Sequence, residues 1–198
     1  MLILYCFPLG VAFISYFRGK SKIVFVQWLS MVVLMLGLYL MLSSGDQVLN
    51  LYGLFISFLG LLFFIAFIVT ASDLSEQIGA TTFNLYVSLL GIIFLTVGFI
   101  LPLGFEMDLP LTKTGIFAIF ANGLFYISSW VLFFKGASII GATRSSMLAC
   151  IEPLFAALLA IILLKQILSV TEWIGFFIVL TAIYTFEKNS AKPEARST

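Results

Sequence analysis

The chain has 198 residues, of which 62% are hydrophobic and 10% charged, with 22 Phe and a mean hydropathy of +1.19. An ordinary soluble domain carries about 25% charged residues, so an aqueous globular fold is excluded and lipid-facing surface is implied. The formal net charge is +1, no basic run is long enough for a nucleic-acid interface, and there is no His, which removes His–metal sites, Ser–His triads and imidazole proton shuttles.

Seven apolar runs follow one another, at about 2–17, 23–42, 50–71, 80–103, 112–135, 145–164 and 169–187. Most approach the ~20 residues that a helix needs to cross ~30 Å of hydrocarbon. They are continuously apolar and do not alternate, which predicts helices and not barrel strands. The first run lacks a basic leader and a small-residue cleavage site, so it reads as a crossing and not as a cleaved signal. It ends at the charged turn Arg18-Gly19-Lys20-Ser21-Lys22, and the second ends at the polar turn Ser43-Ser44-Gly45-Asp46. The third carries a small-residue face of Gly53, Ser57 and Gly60, expected to pack, and is interrupted by Asp73, Glu76 and Gly79. In the fourth, Thr81, Asn84, Ser88 and Gly91 share one face and read as interhelical packing. Pro102, Gly104, Glu106, Asp108 and Pro110 form the longest loop. In the fifth, Asn122, Tyr126 and Ser129 recur at i, i+4 and i+7, a stripe that fits either a substrate pathway or interhelical hydrogen bonds. Gly136 and Gly141 bracket a short hinge before the sixth. Cys6 and Cys150 lie inside apolar runs and read as small buried hydrophobes, not as a disulfide.

Basic residues set the orientation. With the 18–22 turn in the cytoplasm and alternating crossings, Arg18, Lys20, Lys22, Lys135, Arg144, Lys188, Lys192 and Arg196 fall inside, and only Lys113 and Lys165 outside. Eight against two is a strong positive-inside signal, which makes the C-terminus cytoplasmic and the N-terminus external.

The start of the chain also matches its end. The segment from Pro8 to Tyr39 lies without gaps over the segment from Pro153 to Tyr184, an offset of 145. This pairs Pro8 with Pro153, Leu9 with Leu154, Ala12 with Ala157, Lys20 with Lys165, Trp28 with Trp173 and Tyr39 with Tyr184. In both copies an apolar run opening on Pro is followed by a charged break and then by a run opening near Trp. Five crossings separate the copies, an odd number, so they face opposite ways, as the inverted repeats of secondary transporters do.

The stretch Gly141-Ala142-Thr143-Arg144-Ser145-Ser146, followed by IEPLFAALLAIILLKQ and SVTEWIGFFIVLTAIY, resembles the EamA-type transporters of the drug/metabolite transporter superfamily. That resemblance implies an all-α polytopic membrane fold of two inverted five-helix repeats. On this template residues 1–45 correspond to the last two helices of the first repeat, 46–187 to the whole second repeat and 188–198 to a polar cytoplasmic tail, so about three leading helices have no counterpart. The family usually carries Gly-Glu eight residues before the Trp of the repeat's last helix. Lys20 and Lys165 stand there in the two copies.

Glu152 is the one charged side chain well inside an apolar run. It stands seven residues beyond Ser145, ~10 Å below the cytoplasmic end at ~1.5 Å per residue. An ionisable group at that depth marks either a functional site, able to exchange a proton or hold a cation, or a structural carboxylate hydrogen-bonded to a neighbouring helix. Ser145, Ala149, Ala156 and Ala160 place small residues on its face, and Pro153, like its counterpart Pro8, can open the helix at the site.

The expectation is therefore a multi-pass protein of the bacterial inner membrane. It moves small metabolites by alternating access, proton-coupled or by exchange, with Glu152, Asn122, Tyr126 and Ser129 on the pathway of a small-molecule substrate. No cofactor, metal, nucleic-acid partner or enzymatic activity is expected. Its partners are the lipid bilayer and either a second copy or another chain that supplies the missing helices. Two other readings stay open, an inactive or partner-dependent transporter fragment and a seven-helix receptor. Against the receptor, the last crossing has no buried Lys to hold retinal and the repeat goes unexplained.

Overall fold

The computed structural model describes residues 2–42, 50–101 and 112–190. A 3-10 turn over Leu2–Cys6 leads into α1 (Phe7–Phe17), followed by α2 (Phe25–Leu42), α3 (Leu51–Ile78), α4 (Ala80–Ile100), α5 (Lys113–Ile140), α6 (Ala142–Ala149), α7 (Glu152–Leu164) and α8 (Val170–Ser190). Among the described residues, six stretches are long and apolar enough to cross a membrane, α6 and α7 counting as one, and the N-terminal Ile3–Phe17 is a shorter apolar segment. The protein is thus an all-α polytopic membrane protein. Two compact units divide it, one of residues 1–70 with 140–198 and one of residues 71–139. The polar turn at Ser43–Asp46, the loop from Pro102 to Pro110 and the tail beyond Ser190 lie outside the described residues.

In the first unit, residues related by the offset of 145 take the same structural roles. Pro8 and Pro153 each stand in the first turn of their helix, where a missing N–H costs nothing. At the end of α1, the Ser15 carbonyl accepts the N–H groups of Lys20 (2.9 Å) and Ser21 (3.3 Å). At the end of α7, the Ala160 carbonyl accepts those of Lys165 and Gln166, the latter at 3.2 Å. Before α2, the Val24 N–H donates to Gln27 Oε1 at 2.9 Å; before α8, the Ser169 N–H donates to Glu172 Oε2 at 2.6 Å. The second copy completes a capping box, because the Glu172 N–H also donates to Ser169 Oγ at 3.3 Å.

The seam between α2 and α8 repeats the same register. On α2 the buried face includes Ser30, Met31, Leu34, Gly37, Leu38 and Met41; on α8 it is Gly175, Phe176, Val179, Ala182, Ile183 and Phe186. Each member of the second set is 145 residues beyond a member of the first. The helices run antiparallel, since Gln27 near the start of α2 donates from Nε2 to Ser190 Oγ at the end of α8, at 2.7 Å. The backbones touch: a Cβ built on Gly175 would lie 2.6 Å from the Gly37 carbonyl oxygen and 2.7 Å from the Met41 nitrogen. Small residues that let helix backbones approach are the usual means of holding helices together in lipid, where burial of apolar surface gives no drive. On α1, Gly10 similarly leaves room for the Ile65 side chain of α3, and the Phe7 ring meets Phe64 edge-on at 5.2 Å.

In the second unit, Phe134 of α5 is buried between the Phe83 ring, 5.2 Å away and edge-on, and the Trp130 ring, 5.5 Å away and stacked. Asn84 is buried and donates from Nδ2 to the Ala80 carbonyl of its own helix at 2.9 Å.

Several boundaries differ from the expectations. Asp73 and Glu76 do not interrupt α3, which runs to Ile78; two charges on the last turns leave the backbone helical, and the stop is Gly79 at φ +87°. Gly136 lies inside α5, so Gly141, also at φ +87°, is the whole of the hinge. On the Gly53–Ser57–Gly60 face the two glycines are exposed and Ser57 is half-buried, with nothing within 4 Å of a Cβ built on Gly60. Cys150 is buried, but Cys6 is part-exposed. The sixth run is not one helix but two, and its break lies at the residue of greatest interest.

Candidate functional site

A continuous helix through 145–164 would need the N–H of residue 153 to reach the carbonyl of Ala149. Pro153 has no N–H, and its ring crowds that carbonyl. The chain responds by tightening at the end of α6. The Cys150 N–H donates to Met147 at 3.2 Å and the Ile151 N–H to Leu148 at 3.0 Å, both one residue shorter than α-helical bonds. Residues 150 and 151 form a turn, and α7 restarts at Glu152 with Pro153 next to it. Glu152 therefore sits at a helix N-terminus inside an apolar span, where the helix dipole favours negative charge.

Within the chain Glu152 is exposed, not buried as its apolar flanks suggest. Among the described residues its carboxylate has no hydrogen bond or ion pair. Tyr5 and Cys6 belong to the 3-10 turn that precedes α1 and Pro8. α1 packs against α6, the helix that ends at the break before α7. Irregular backbone at membrane depth is tolerated where it is enclosed by protein or lines a cavity. Ser145, on α6, is buried with its hydroxyl unpartnered among the described residues, whereas the neighbouring Ser146 Oγ donates to the Thr143 carbonyl at 2.9 Å.

Asn122, Tyr126 and Ser129 lie along α5 and are exposed. The Ser129 hydroxyl donates to the Tyr126 carbonyl at 2.8 Å, and the Tyr126 ring meets Trp130 at 6.2 Å. These three residues belong to the second unit, and Glu152, Pro153 and Pro8 to the first.

One end of the first unit holds contacts that the sequence did not announce. Arg144 binds Glu187 through two parallel bonds, Nε to Oε1 at 3.3 Å and Nη2 to Oε2 at 2.5 Å. Each charge stands at the unfavourable end of its own helix, Arg144 in the first turn of α6 and Glu187 near the end of α8, and each offsets the other. Ser21 and Thr143 approach through their hydroxyls at 3.5 Å, and Gln27 reaches Ser190 beside them in the fold's α2–α8 seam.

Residues 51–186 match the EamA-like transporter family. Over 61 residues the chain is 34% identical to a protein of Salmonella typhimurium described as an uncharacterized inner membrane transporter, YicL; the match takes in 31% of this chain and 20% of that protein. The aligned part of the chain thus spans a fifth of that relative's length. No solved structure matches the chain. The matched segment runs from the start of α3 almost to the end of α8, more than half of the residues, and the chain belongs to the EamA-like transporter family, whose members are transporters and not enzymes.

Proposed function

We propose that the chain carries the greater part of an alternating-access transporter of small organic metabolites in a bacterial inner membrane, with its C-terminus in the cytoplasm. The observation that carries this reading is the recurrence of caps, turns and buried register at an offset of 145, on helices that run antiparallel. Local devices repeated in opposite directions support a fold of two inverted five-helix repeats, the architecture in which one repeat rocks against the other around a midplane site. The kinship with an inner membrane transporter supports the location.

Glu152 is the proposed coupling or substrate-binding acid, opened to the pathway by the break at Pro153 and flanked by the break before Pro8. Asn122, Tyr126 and Ser129 are the proposed polar lining of the same pathway. On this reading α7 awaits a cover. The residues of α1 that are buried, Phe7, Pro8, Val11, Ala12 and Ser15, correspond to Glu152, Pro153, Ala156, Ala157 and Ala160, of which only Pro153 is buried. A second copy or another chain supplying the remaining helices is the proposed partner.

The test uses the repeat itself. Lys20 and Lys165 are equivalent and both exposed. In a Cys6→Ser/Cys150→Ala background, Lys20→Cys should react with a membrane-impermeant maleimide only in inside-out vesicles, and Lys165→Cys only in intact spheroplasts. Labelling of both from one side would end the inverted-repeat reading.

A further inference from the structure

α6 is bounded at both ends by residues outside the helical ladder. Gly141 precedes it at φ +87° and ψ 153°, a backbone region essentially reserved for glycine, with nothing within 4 Å of a built Cβ. The turn at residues 150 and 151 follows it. Neither α5 nor α7 therefore sets the direction of α6 through an unbroken helix, and its side contacts must do so. Thr143, Ser145, Ser146 and Met147 are buried, and α6 packs against α1 and α8. Apolar packing resists separation but is not directional. Two polar contacts tie the first turn of α6 to other elements. Thr143 meets Ser21 through hydroxyls 3.5 Å apart, at the far limit of a hydrogen bond. Arg144 grips Glu187 of α8 with Nε and Nη2 on the two carboxylate oxygens, and this planar fork fixes direction as well as distance.

We propose that Arg144 and Glu187 are positioning residues for Glu152: their pairing holds α6 as a strut whose far end leads into the carboxylate. The proposal rests on the reading of Glu152 as the coupling or substrate acid. α6 has eight residues, a length of about 12 Å. A tilt of about 10° at its first turn moves the far end by about 2 Å at that length, and a misplacement of ~1 Å can cost ~10²-fold where a group must meet its substrate. Both side chains of the pair are part-exposed, at 34% and 25%, so the pair adds little to stability. What it supplies is direction, at the base of a helix that ends at Ala149, just ahead of the turn to Glu152.

Dicyclohexylcarbodiimide, which modifies protonated carboxyl groups in apolar surroundings, tests the proposal on the full chain in lipid vesicles, read as the rate at which the Glu152 peptide becomes modified. Arg144→Ala and Glu187→Ala are each expected to change that rate severalfold and in the same sense, because either loss frees the strut. The charge swap Arg144→Glu/Glu187→Arg is expected to return it, and the return shows that the single variants lost a contact and not the fold. A field effect of the two charges on Glu152 has opposite signs: loss of the cation favours the neutral carboxyl, and loss of the anion the charged one. Unchanged rates in both single variants, changes in opposite senses, or a rate that the swap does not return would overturn the positioning role. Glu152→Gln tests the acid itself by transport, so a failure of that reading shows there and leaves the labelling rates as they are.

Discussion

Replacing Gly175 by Ala adds one methyl group at the tightest point of the seam. That carbon would lie 2.6 Å from the Gly37 oxygen, 2.7 Å from the Met41 nitrogen and 3.1 Å from Met41 Cβ. The first two are backbone atoms, so no side chain can turn aside, and α2 and α8 must separate. A gap of ~0.5–1 Å forfeits a quarter to a half of each dispersion contact across it, and in lipid no hydrophobic drive restores the loss. The expected destabilisation is about 1–3 kcal/mol, the range of an overpacked interior. Gly37→Ala meets Ile178 Cγ2 at 2.8 Å, Val179 Cγ2 at 2.9 Å and the Gly175 carbonyl oxygen at 3.0 Å; its backbone contact is longer than the two made at Gly175, so it should cost less. Gly60→Ala has nothing within 4 Å and should be neutral or stabilising, since Ala is the better helix former by about 1 kcal/mol. The double variant Gly37→Ala/Gly175→Ala should cost less than the two single losses together, because the first methyl already opens the seam for the second. Unfolding in mixed micelles with increasing denaturing detergent measures the series. Equal losses at Gly175 and Gly60 would refute the reasoning.

Arg144→Ala and Glu187→Ala should each lower stability, and a double-mutant cycle should give a coupling of about 1 kcal/mol or less, as both side chains are part-exposed; zero coupling would make the pair incidental. Glu152→Gln keeps size and hydrogen bonding but removes the exchangeable charge, so transport in a complemented, full-length form should lose its rate and pH dependence while insertion stays intact. An unchanged pH profile would leave Glu152 a structural residue. Reporter fusions at Phe105 and Arg196 should report opposite sides of the membrane, with Arg196 cytoplasmic; the same side for both contradicts the seven-crossing order. Purified monomer in vesicles should move no substrate, because alternating access needs both repeats, and saturable uptake would show that these helices suffice.

The apolar runs located the helices because membrane crossing demands continuous hydrophobicity, and that signal is local. The breaks at Pro8 and Pro153 were legible for the same reason: a missing N–H is a property of the residue, whatever surrounds it. The ends were harder. Asp73 and Glu76 looked like a loop because they are charged, but a charge on a terminal turn can face water without leaving the helix, and only the backbone of Gly79 ends it. The surroundings of Glu152 were not legible at all. Apolar flanks imply burial, yet burial depends on which helices lie alongside, and among the described residues Glu152 is exposed. The Arg144–Glu187 pair escaped notice because its members are 43 residues apart and no period links them.

Among the described residues, α1 and α7 differ in cover: five residues of α1 are buried, and only Pro153 and Leu154 of α7. On α1, Gly10 admits Ile65 and Phe7 meets Phe64, so α3 lies close along it. The position equivalent to Gly10 on α7 is Phe155, which is 61% exposed. A helix covering α7 therefore cannot seat itself as α3 does on α1, against a bare backbone. On the partner proposed above, it would approach over Ala156, Ala157 and Ala160 instead, the small residues equivalent to the buried Val11, Ala12 and Ser15. Lipid competes well for an alanine face, since leaving lipid for another apolar helix gains little. It competes poorly for Glu152, which needs polar partners that hydrocarbon lacks. On the function proposed above, the carboxylate at the head of this face would distinguish a cognate helix from lipid. The same group proposed to handle substrate would also select the surface that completes its site, so a neutral residue there should weaken assembly as well as transport.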